Sequence, residues 1–113
     1  MTTSGPRSAP ATRRNDTVRE LRITAGAEAD LVRMADTVSD YSAPSALNMI
    51  EECQRAFRQL REFPETGHPH QHLPARYRVL AVGRWLIVHS LTGTTVEVVR
   101  IIHGSQDLRR IEF

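Results

Sequence analysis

Chemically capable side chains gather in the last third of this chain. A guanidinium, an imidazole and a carboxylate follow one another at Arg100, His103 and Asp107, around a turn at Gly104. A guanidinium binds carboxylates or phosphates, and an imidazole can transfer protons near neutral pH. The spacing therefore predicts an anion-binding surface or a proton-transfer site. Structural explanations are also open: Arg100 could pair with Glu97 or Asp107, extend its guanidinium to solvent or protect a sheet edge, and His103 could equally well order the turn.

Further basic residues precede this cluster. Arg76 and Arg78 are two positions apart, so they share one face if the segment is a strand, and Arg84 lies in the turn before Trp85. An arginine within apolar strands must find an acceptor or reach solvent. We predict the following target- or partner-binding set: Arg76, Arg78, Arg84, Trp85, Arg100, His103 and Asp107.

Two other kinds of site are less well supported by the residues. His68, His70 and His72 place three imidazoles close together, but no cysteine or carboxylate cluster accompanies them. We expect solvated loop histidines, no bound metal and no other cofactor. Hydrolase chemistry lacks a nucleophile elbow and a glycine-rich oxyanion loop. The residues of types found in hydrolase triads are expected near one end of a sheet. They are Ser90, Ser105, His89, His103 and Asp107.

Composition narrows the class of protein. The chain has 113 residues, 15 basic residues that are all arginine, and a net charge of +2. Without lysine, a lysine general base or Schiff base is excluded. Cys53 is the single cysteine, which excludes an internal disulfide and fits a reducing compartment. No apolar run could cross a bilayer, so we expect a cytoplasmic protein.

The hydrophobic pattern predicts a single α+β domain over residues 18–113, after a disordered basic tail at 1–17. Alternation predicts a strand at 18–24, and a helical period follows from Ala27 to Tyr41. A second helix runs from the serine–proline break at 42–45 to Phe63-Pro64. Three antiparallel strands at 76–82, 85–91 and 96–102 form a β-meander, followed by one helical turn at 107–111. The apolar face predicted for the second helix is Leu47, Ile50, Cys53, Phe57 and Leu60.

The last two strands are apolar on both faces. Trp85 to Val88 is a continuous apolar run, and 96–102 is interrupted only by Glu97 and Arg100. A helical hairpin can cover only one face of a sheet, and monomers avoid leaving the other apolar face in water. We therefore predict that a partner chain covers part of the second face. The alternative is that the C-terminal tail and the loop at 65–74 suffice.

In these residues the chain resembles the ParE/RelE superfamily of bacterial toxin–antitoxin modules, specifically its ParE branch. The resemblance spans residues 19–107. Its motifs are Ala29-Asp30-Leu31, Phe63-Pro64-Glu65-Thr66-Gly67, Tyr77-Arg78-Val79, Val82-Gly83-Arg84-Trp85-Leu86-Ile87, and Val99-Arg100-Ile101-Ile102-His103-Gly104 with Asp107. Each motif alone is weak, whereas their joint order and spacing are specific.

The resemblance implies a toxin that arrests growth and is neutralised by a cognate antitoxin. ParE-type toxins poison DNA gyrase by binding, whereas RelE-type toxins cleave mRNA on the ribosome. A nuclease here would depend on Arg78, Arg100 and His103, because the chain lacks lysine, carries Leu86 where RelE-like enzymes carry an arginine, and has no tyrosine after Tyr77. The resemblance thus implies a non-enzymatic gyrase inhibitor, with a ribosome-dependent endonuclease or a non-toxic binding module as alternatives.

Overall fold

The computed structural model describes residues 20–113 and has an α+β architecture. The chain runs through β1 (Glu20–Ile23), α1 (Ala25–Ser39), α2 (Ala43–Glu62), β2 (Tyr77–Val82), β3 (Trp85–Thr92), β4 (Thr95–His103) and a 3₁₀ turn (Leu108–Arg110). The predicted helical hairpin and β-meander are confirmed. The predicted tail at 1–17 and the first residues of the predicted strand lie outside the described residues.

The four strands form one sheet in the order β1-β4-β3-β2. β2, β3 and β4 are antiparallel neighbours, and β1 joins β4 in parallel. Gly83 and Gly93 begin the two tight turns with φ of 58° and 61°. A positive φ is accessible to glycine at little cost and suits two-residue hairpins. The N-terminal strand therefore extends the meander to a four-stranded sheet.

Both helices begin at hydroxyl caps. The Thr24 side chain accepts a hydrogen bond from the Ala27 amide, and the Ser42 side chain accepts one from Ser45. Such caps satisfy amides that have no partner within the helix. Thr24 Oγ1 also donates to the Val99 carbonyl at 2.9 Å, so the start of α1 is fixed against β4. α1 begins two residues earlier than predicted.

The helices cover one face of the sheet. Their buried side chains, including Met34, Met49 and Leu60, pack with Ile87 and Ile101 of the sheet. Leu47 was predicted to belong to this face, but its side chain is 64% exposed. Ala46 and Met49 are buried instead, so the buried stripe of α2 is displaced from Leu47.

The other face is covered by the protein's own chain. Val79, Val88, Val99 and Ile102 are buried there beneath Leu73, Tyr77 and Leu108, with Ile111 packed against them. The Phe113 and Tyr77 rings lie 5.1 Å apart. The prediction that a partner chain covers part of this face was wrong, because the loop and the C-terminal segment cover it, as the stated alternative held. None of the helices within residues 20–113 combines the length and apolarity needed to cross a membrane.

Candidate functional site

Three of the predicted binding residues line one groove. The groove has a volume of about 580 Å³ and lies between the joint of the two helices and the β2–β3 turn. Arg84, Trp85 and His103 come from the sheet side, whereas Tyr41 and Met49 come from the helices. Tyr41 is 88% exposed. We call this region, with the neighbouring cleft described below, the open end of the sheet.

Trp85 and His103 form the centre of the open end. They are register partners on β3 and β4, and their rings meet edge to face with centroids 5.2 Å apart. The Ser105 amide donates to His103 Nδ1 at 3.1 Å, and the Ser105 hydroxyl lies 2.7 Å from the same nitrogen. Because Nδ1 accepts a hydrogen bond, the neutral ring carries its proton on Nε2. His103 therefore orders the turn at Gly104 and packs against Trp85.

A smaller cleft of about 210 Å³ adjoins the groove. Trp85 and His103 line both depressions, and the cleft adds Arg33, Arg100 and Asp30. Asp30 is 2% exposed in its side chain, and Arg100 is 22% exposed. The cleft therefore combines a buried carboxylate with two guanidinium groups beside an aromatic surface.

Arg100 is held by Asp30. Its Nε and Nη2 donate to the two Asp30 carboxylate oxygens at 2.7 and 3.0 Å. Arg33 donates to the same carboxylate, and the Ile101 amide donates to it at 2.9 Å. The hydrogen bond to Asp30 raises the pKa of Arg100 above its ordinary value. A bidentate charged pair of this kind is strong and directional. Arg100 therefore pairs with Asp30 and not with Glu97 or Asp107, the partners considered as one alternative from the sequence.

A bulge in β4 places Arg100 beside Asp30. β1 ends opposite Val98, and the register shifts between Val88 and His89, so Val99 is an extra residue in β4. Bulges re-aim side chains and interrupt strand pairing. Beyond Val98, no strand pairs with this edge of β4 within the described residues. The Val99 carbonyl accepts a hydrogen bond from the Thr24 side chain, and the Ile101 amide donates one to Asp30. Arg100 also donates through Nη1 to the Glu112 carbonyl at 2.7 Å, which holds the C-terminal segment.

The sequence analysis named Asp30 only within the motif Ala29-Asp30-Leu31 and gave it no role at the site. The helix begins at Ala25, so Asp30 is in its second turn. The spacing of Asp30 could have indicated its burial, because Asp30 lies on the same helical stripe as the buried residues Ala27 and Met34. A carboxylate in an apolar stripe requires a cationic or hydrogen-bonding partner.

Arg78 lies at the other end of β2. It is the register partner of His89, and its guanidinium donates to the carbonyls of Gly67 and Glu65 at 2.9 and 3.3 Å. At about 3.3 Å per residue, the four steps from Arg78 to Val82, the register partner of Trp85, span roughly 13 Å. Arg78 is therefore separated from the open end, and we call its surroundings the closed end.

His89 is the buried residue of the closed end. It is 1% exposed, and neither ring nitrogen has a hydrogen-bond partner within residues 20–113. Burial, assisted by the nearby Arg78 charge, lowers the pKa of His89 to about 4. A Cβ at Gly67 would lie 2.4 Å from His89 Nε2, so the loop passes directly over the ring. His89 and His103, which sequence reasoning placed together, are at opposite ends of the sheet.

Arg76 and Asp107 lie outside both ends. β2 begins after Arg76, whose guanidinium carbon sits 4.6 Å from the centre of the Tyr77 ring. The predicted common strand face for Arg76 and Arg78 was therefore wrong. Asp107 caps the 3₁₀ turn and binds Arg109 through both carboxylate oxygens at 3.0 Å. These bonds lower the pKa of Asp107.

No group of three or more potential metal ligands forms within residues 20–113. His70 and His72 do approach each other, with ring centroids 5.5 Å apart. Cys53 is buried in the helix–sheet core, and burial raises the pKa of its thiol. A raised pKa disfavours the thiolate that nucleophilic or metal chemistry needs.

Solved structures confirm the fold. The chain superimposes on the chromosomal ParDE toxin–antitoxin system from Pseudomonas aeruginosa with a TM-score of 0.67 and 19% identity, covering 77% of this chain and 97% of the other. The RelBE2 toxin–antitoxin complex from Mycobacterium tuberculosis gives 0.55 and 20%, covering 80% and 95%. YafQ from Escherichia coli gives 0.51 and 18%, covering 75% and 92%.

Sequence similarity identifies the family. The chain is 29% identical over 97 residues to Toxin ParE1 from Caulobacter vibrioides, covering 81% of this chain and 96% of that protein. Residues 21–108 match the family described as the ParE toxin of the type II toxin–antitoxin system parDE. The chain therefore belongs to the ParE toxin family of type II toxin–antitoxin systems.

Proposed function

We propose that this protein arrests growth by binding DNA gyrase, and that a cognate antitoxin neutralises it by forming a complex with it. Membership of the ParE family supports the gyrase target. Similarity to ParDE and RelBE2 toxin–antitoxin systems supports the antitoxin partner. The binding residues we assign to the open end are Arg84, Trp85 and His103.

The separation of the candidate catalytic residues supports binding over catalysis. Cleavage of RNA needs a base for the 2′-hydroxyl, an acid for the leaving oxygen and cations on the phosphate, all within reach of one another. Arg78 donates to loop carbonyls at the closed end, and Arg100 is bound by the Asp30 carboxylate. Arg100 and His103 both line the cleft at the open end, but Arg78 does not, so the three side chains do not converge on one phosphate.

The proposal is tested with purified protein in two assays. In the first, gyrase supercoils a relaxed plasmid in the presence of the toxin, and cleaved complexes are trapped with detergent. In the second, programmed ribosomes are mixed with the toxin and mRNA ends are mapped. We expect lost supercoiling, accumulated cleavage complexes and intact mRNA. RNA cuts with unaffected gyrase would establish the endonuclease alternative.

A matched pair of variants assigns the effect to the open end. Arg84 is exposed in the β2–β3 turn, and Arg58 is exposed on α2 outside the groove lining. Arg84→Ala should weaken gyrase inhibition, whereas Arg58→Ala should inhibit like the wild type. Equal potency of the two variants would place the gyrase contact elsewhere.

Neutralisation is tested by co-expression. The candidate antitoxin is the product of the reading frame beside the toxin gene. We expect it to co-purify with the toxin, restore growth and restore supercoiling in the first assay. Growth arrest that persists although both chains are expressed would contradict this part of the proposal.

A further inference from the structure

A short loop segment covers the outer edge of β2. β2 is the last strand in the order β1-β4-β3-β2, so one edge of its backbone faces no further strand within the described residues. His68 and Val79 form an isolated bridge along this edge, with the His68 amide bound to the Val79 carbonyl at 2.9 Å and the reverse bond at 2.8 Å. Arg78 holds the same segment through two of its carbonyls. We call residues 65–68 the latch, because they protect an edge that would otherwise be open to pairing.

The latch also closes over the buried His89 ring. A Cβ at Gly67 would lie 2.4 Å from His89 Nε2, so the latch backbone lies against that nitrogen. The ring is 1% exposed, and neither nitrogen has a hydrogen-bond partner within residues 20–113. A neutral imidazole leaves one donor and one acceptor unpaired here, whereas a protonated ring would leave two donors and a charge unpaired. The closed latch therefore favours the neutral ring.

The charged groups around this ring offer it no counter-ion. Its register partner on β2 is Arg78, and its register partner on β4 is the apolar Val98. The latch carries Glu65 and His68, whose side chains are exposed, and the last turn of α2 carries an arginine and a glutamate at 61–62. Burial lowers the pKa of the buried imidazole, the Arg78 charge lowers it further, and no carboxylate among the described residues raises it.

Opening of the latch would uncover little apolar surface. Its residues are an exposed glutamate, a partly exposed threonine, the buried Gly67 and an exposed histidine. The loop residue that does belong to a core is Leu73, which lies beyond the latch and packs on the second face of the sheet. Stabilisation by burial scales with the apolar area removed from water, so it contributes little to closure. Segments of this kind can open locally without unfolding of the whole domain.

We propose that the latch opens when His89 is protonated, which frees the outer edge of β2 while the helices and the other strands stay folded. Opening gives both N–H groups of the imidazolium access to water. The pKa of His89 is about 4 with the latch closed and 6.5 as an ordinary value, so the closed state is favoured above pH 6.5 and loses this advantage as the pH falls towards 4. The device is at the closed end and is independent of gyrase binding at the open end.

Amide hydrogen exchange of the full-length protein between pH 7 and pH 4, followed by mass spectrometry and corrected for the intrinsic rate at each pH, tests the proposal. We expect peptides that contain the bridged amides of His68 and Val79 to lose protection by about tenfold for each pH unit between 6.5 and 4. Peptides from residues 95–103 of β4 should stay at least about tenfold more protected throughout, because they exchange only when the whole domain unfolds.

Three variants assign the acid response to the ring. His89→Leu removes the titrating group, so its latch should lack the tenfold dependence on pH. His68→Leu is the matched control, because it keeps the backbone bridge and removes only an exposed imidazole of the latch, and it should respond like the wild type. Arg78→Leu removes two bonds to the latch and should lower latch protection at pH 7 by about tenfold. This last variant tests the latch even if His89→Leu does not fold.

Two results would overturn the proposal. Equal protection of the latch and of β4 at every pH would show that the latch opens only when the whole domain unfolds. An unchanged acid response in folded His89→Leu would show that another group controls opening. Wild-type protection of the latch in Arg78→Leu at pH 7 would likewise contradict the contacts assigned to it. Gyrase inhibition is measured separately at neutral pH, so these results leave the proposed function untouched.

Discussion

Each end of the sheet contains one histidine, and the two histidines differ in burial and in hydrogen bonding. At the open end, His103 is partly exposed, accepts a hydrogen bond from Ser105 and packs on Trp85. At the closed end, His89 is buried under Gly67 with neither ring nitrogen bonded within residues 20–113. An unpaired buried polar group costs about 1–3 kcal/mol. The open end therefore offers satisfied, accessible groups to a partner, whereas the closed end holds a destabilising group inside the fold.

Arg100 at the open end and Arg78 at the closed end also differ, in the kind of acceptor that each guanidinium binds. Arg100 meets a buried carboxylate and joins α1, β4 and the C-terminal segment. Among the described residues 20–113, Arg78 donates to backbone carbonyls and joins β2 to the loop above His89. A charged acceptor roughly doubles the strength of a hydrogen bond. We infer that the open end is framed by strong ionic contacts and that the closed end is the weaker part of the fold.

Removal of the Asp30 carboxylate should have the largest effect on stability. Asp30→Ala leaves Arg100 without its main partner and the Ile101 amide without an acceptor, so we expect a loss of about 3–5 kcal/mol. Urea denaturation measures it. Arg33→Ala is the control, because its exposed side chain should contribute less than about 1 kcal/mol. A loss of unfolding free energy below about 1 kcal/mol for Asp30→Ala would contradict the inference that the ionic contacts of Asp30 stabilise the open end.

Acidification should weaken the closed end. The pKa of His89 is about 4 in the folded protein and 6.5 as an ordinary value, so the unfolded chain binds a proton first as the pH falls. Stability from this group is present above pH 6.5 and is lost on descent towards pH 4, by about 3 kcal/mol in total.

The pH effect is measured by denaturation at several pH values between 7 and 4, for the wild type and for His89→Leu. Carboxylates titrate in both proteins, so the difference between the two curves isolates His89. We expect the variant to lose less stability over this range. Parallel curves would show that His89 titrates normally and that the closed end is accessible to water.

Gly67→Ala should destabilise by about 1–3 kcal/mol, because the added Cβ overpacks the site above His89. The new atom would lie 2.4 Å from His89 Nε2 and 3.0 Å from the Val79 carbonyl. In a His89→Ala background the cost should shrink, although the Val79 contact remains. Denaturation of the four proteins in this cycle gives the coupling. Additive effects would mean that the loop does not press on the ring.

His103→Ala should have the smallest effect on stability, within about 0.5 kcal/mol, because the ring is partly exposed and its bonds are local. A small effect here would contrast with His89, whose lowered pKa is expected to cause the loss of stability in acid. Urea denaturation at neutral pH is sufficient. A loss above about 2 kcal/mol would mean that His103 is part of the structural frame.

The element order could be predicted from the sequence, whereas the contacts between distant elements could not. Periodicity located both helices and all four strands, because each signal is local. Asp30 and Arg100 are separated by 70 positions, and no local pattern joins them. The cover of the second face depends on isolated apolar residues at Leu73, Leu108 and Ile111, which form no periodic segment and were undervalued for that reason.

The structure brings only some members of the predicted binding set together. Turn and strand-end positions placed Arg84, Trp85 and His103 together, because β2, β3 and β4 meet in a simple antiparallel register. Arg78 lies at the other end of β2. Residue type alone does not say which end of a strand is open. His89 was set aside as one member of a hydrolase pattern. Its burial depends on Gly67 lying over the ring, which periodicity does not encode.

The most direct test of a toxin that acts by binding at the open end is gyrase supercoiling with the double variant Tyr41→Ala/Arg84→Glu. We predict that wild-type protein and Arg58→Glu inhibit supercoiling, whereas the folded double variant does not, and that all three leave ribosome-bound mRNA intact. Full inhibition by the double variant would contradict the assigned surface. Cleaved mRNA with unaffected gyrase would contradict action by binding.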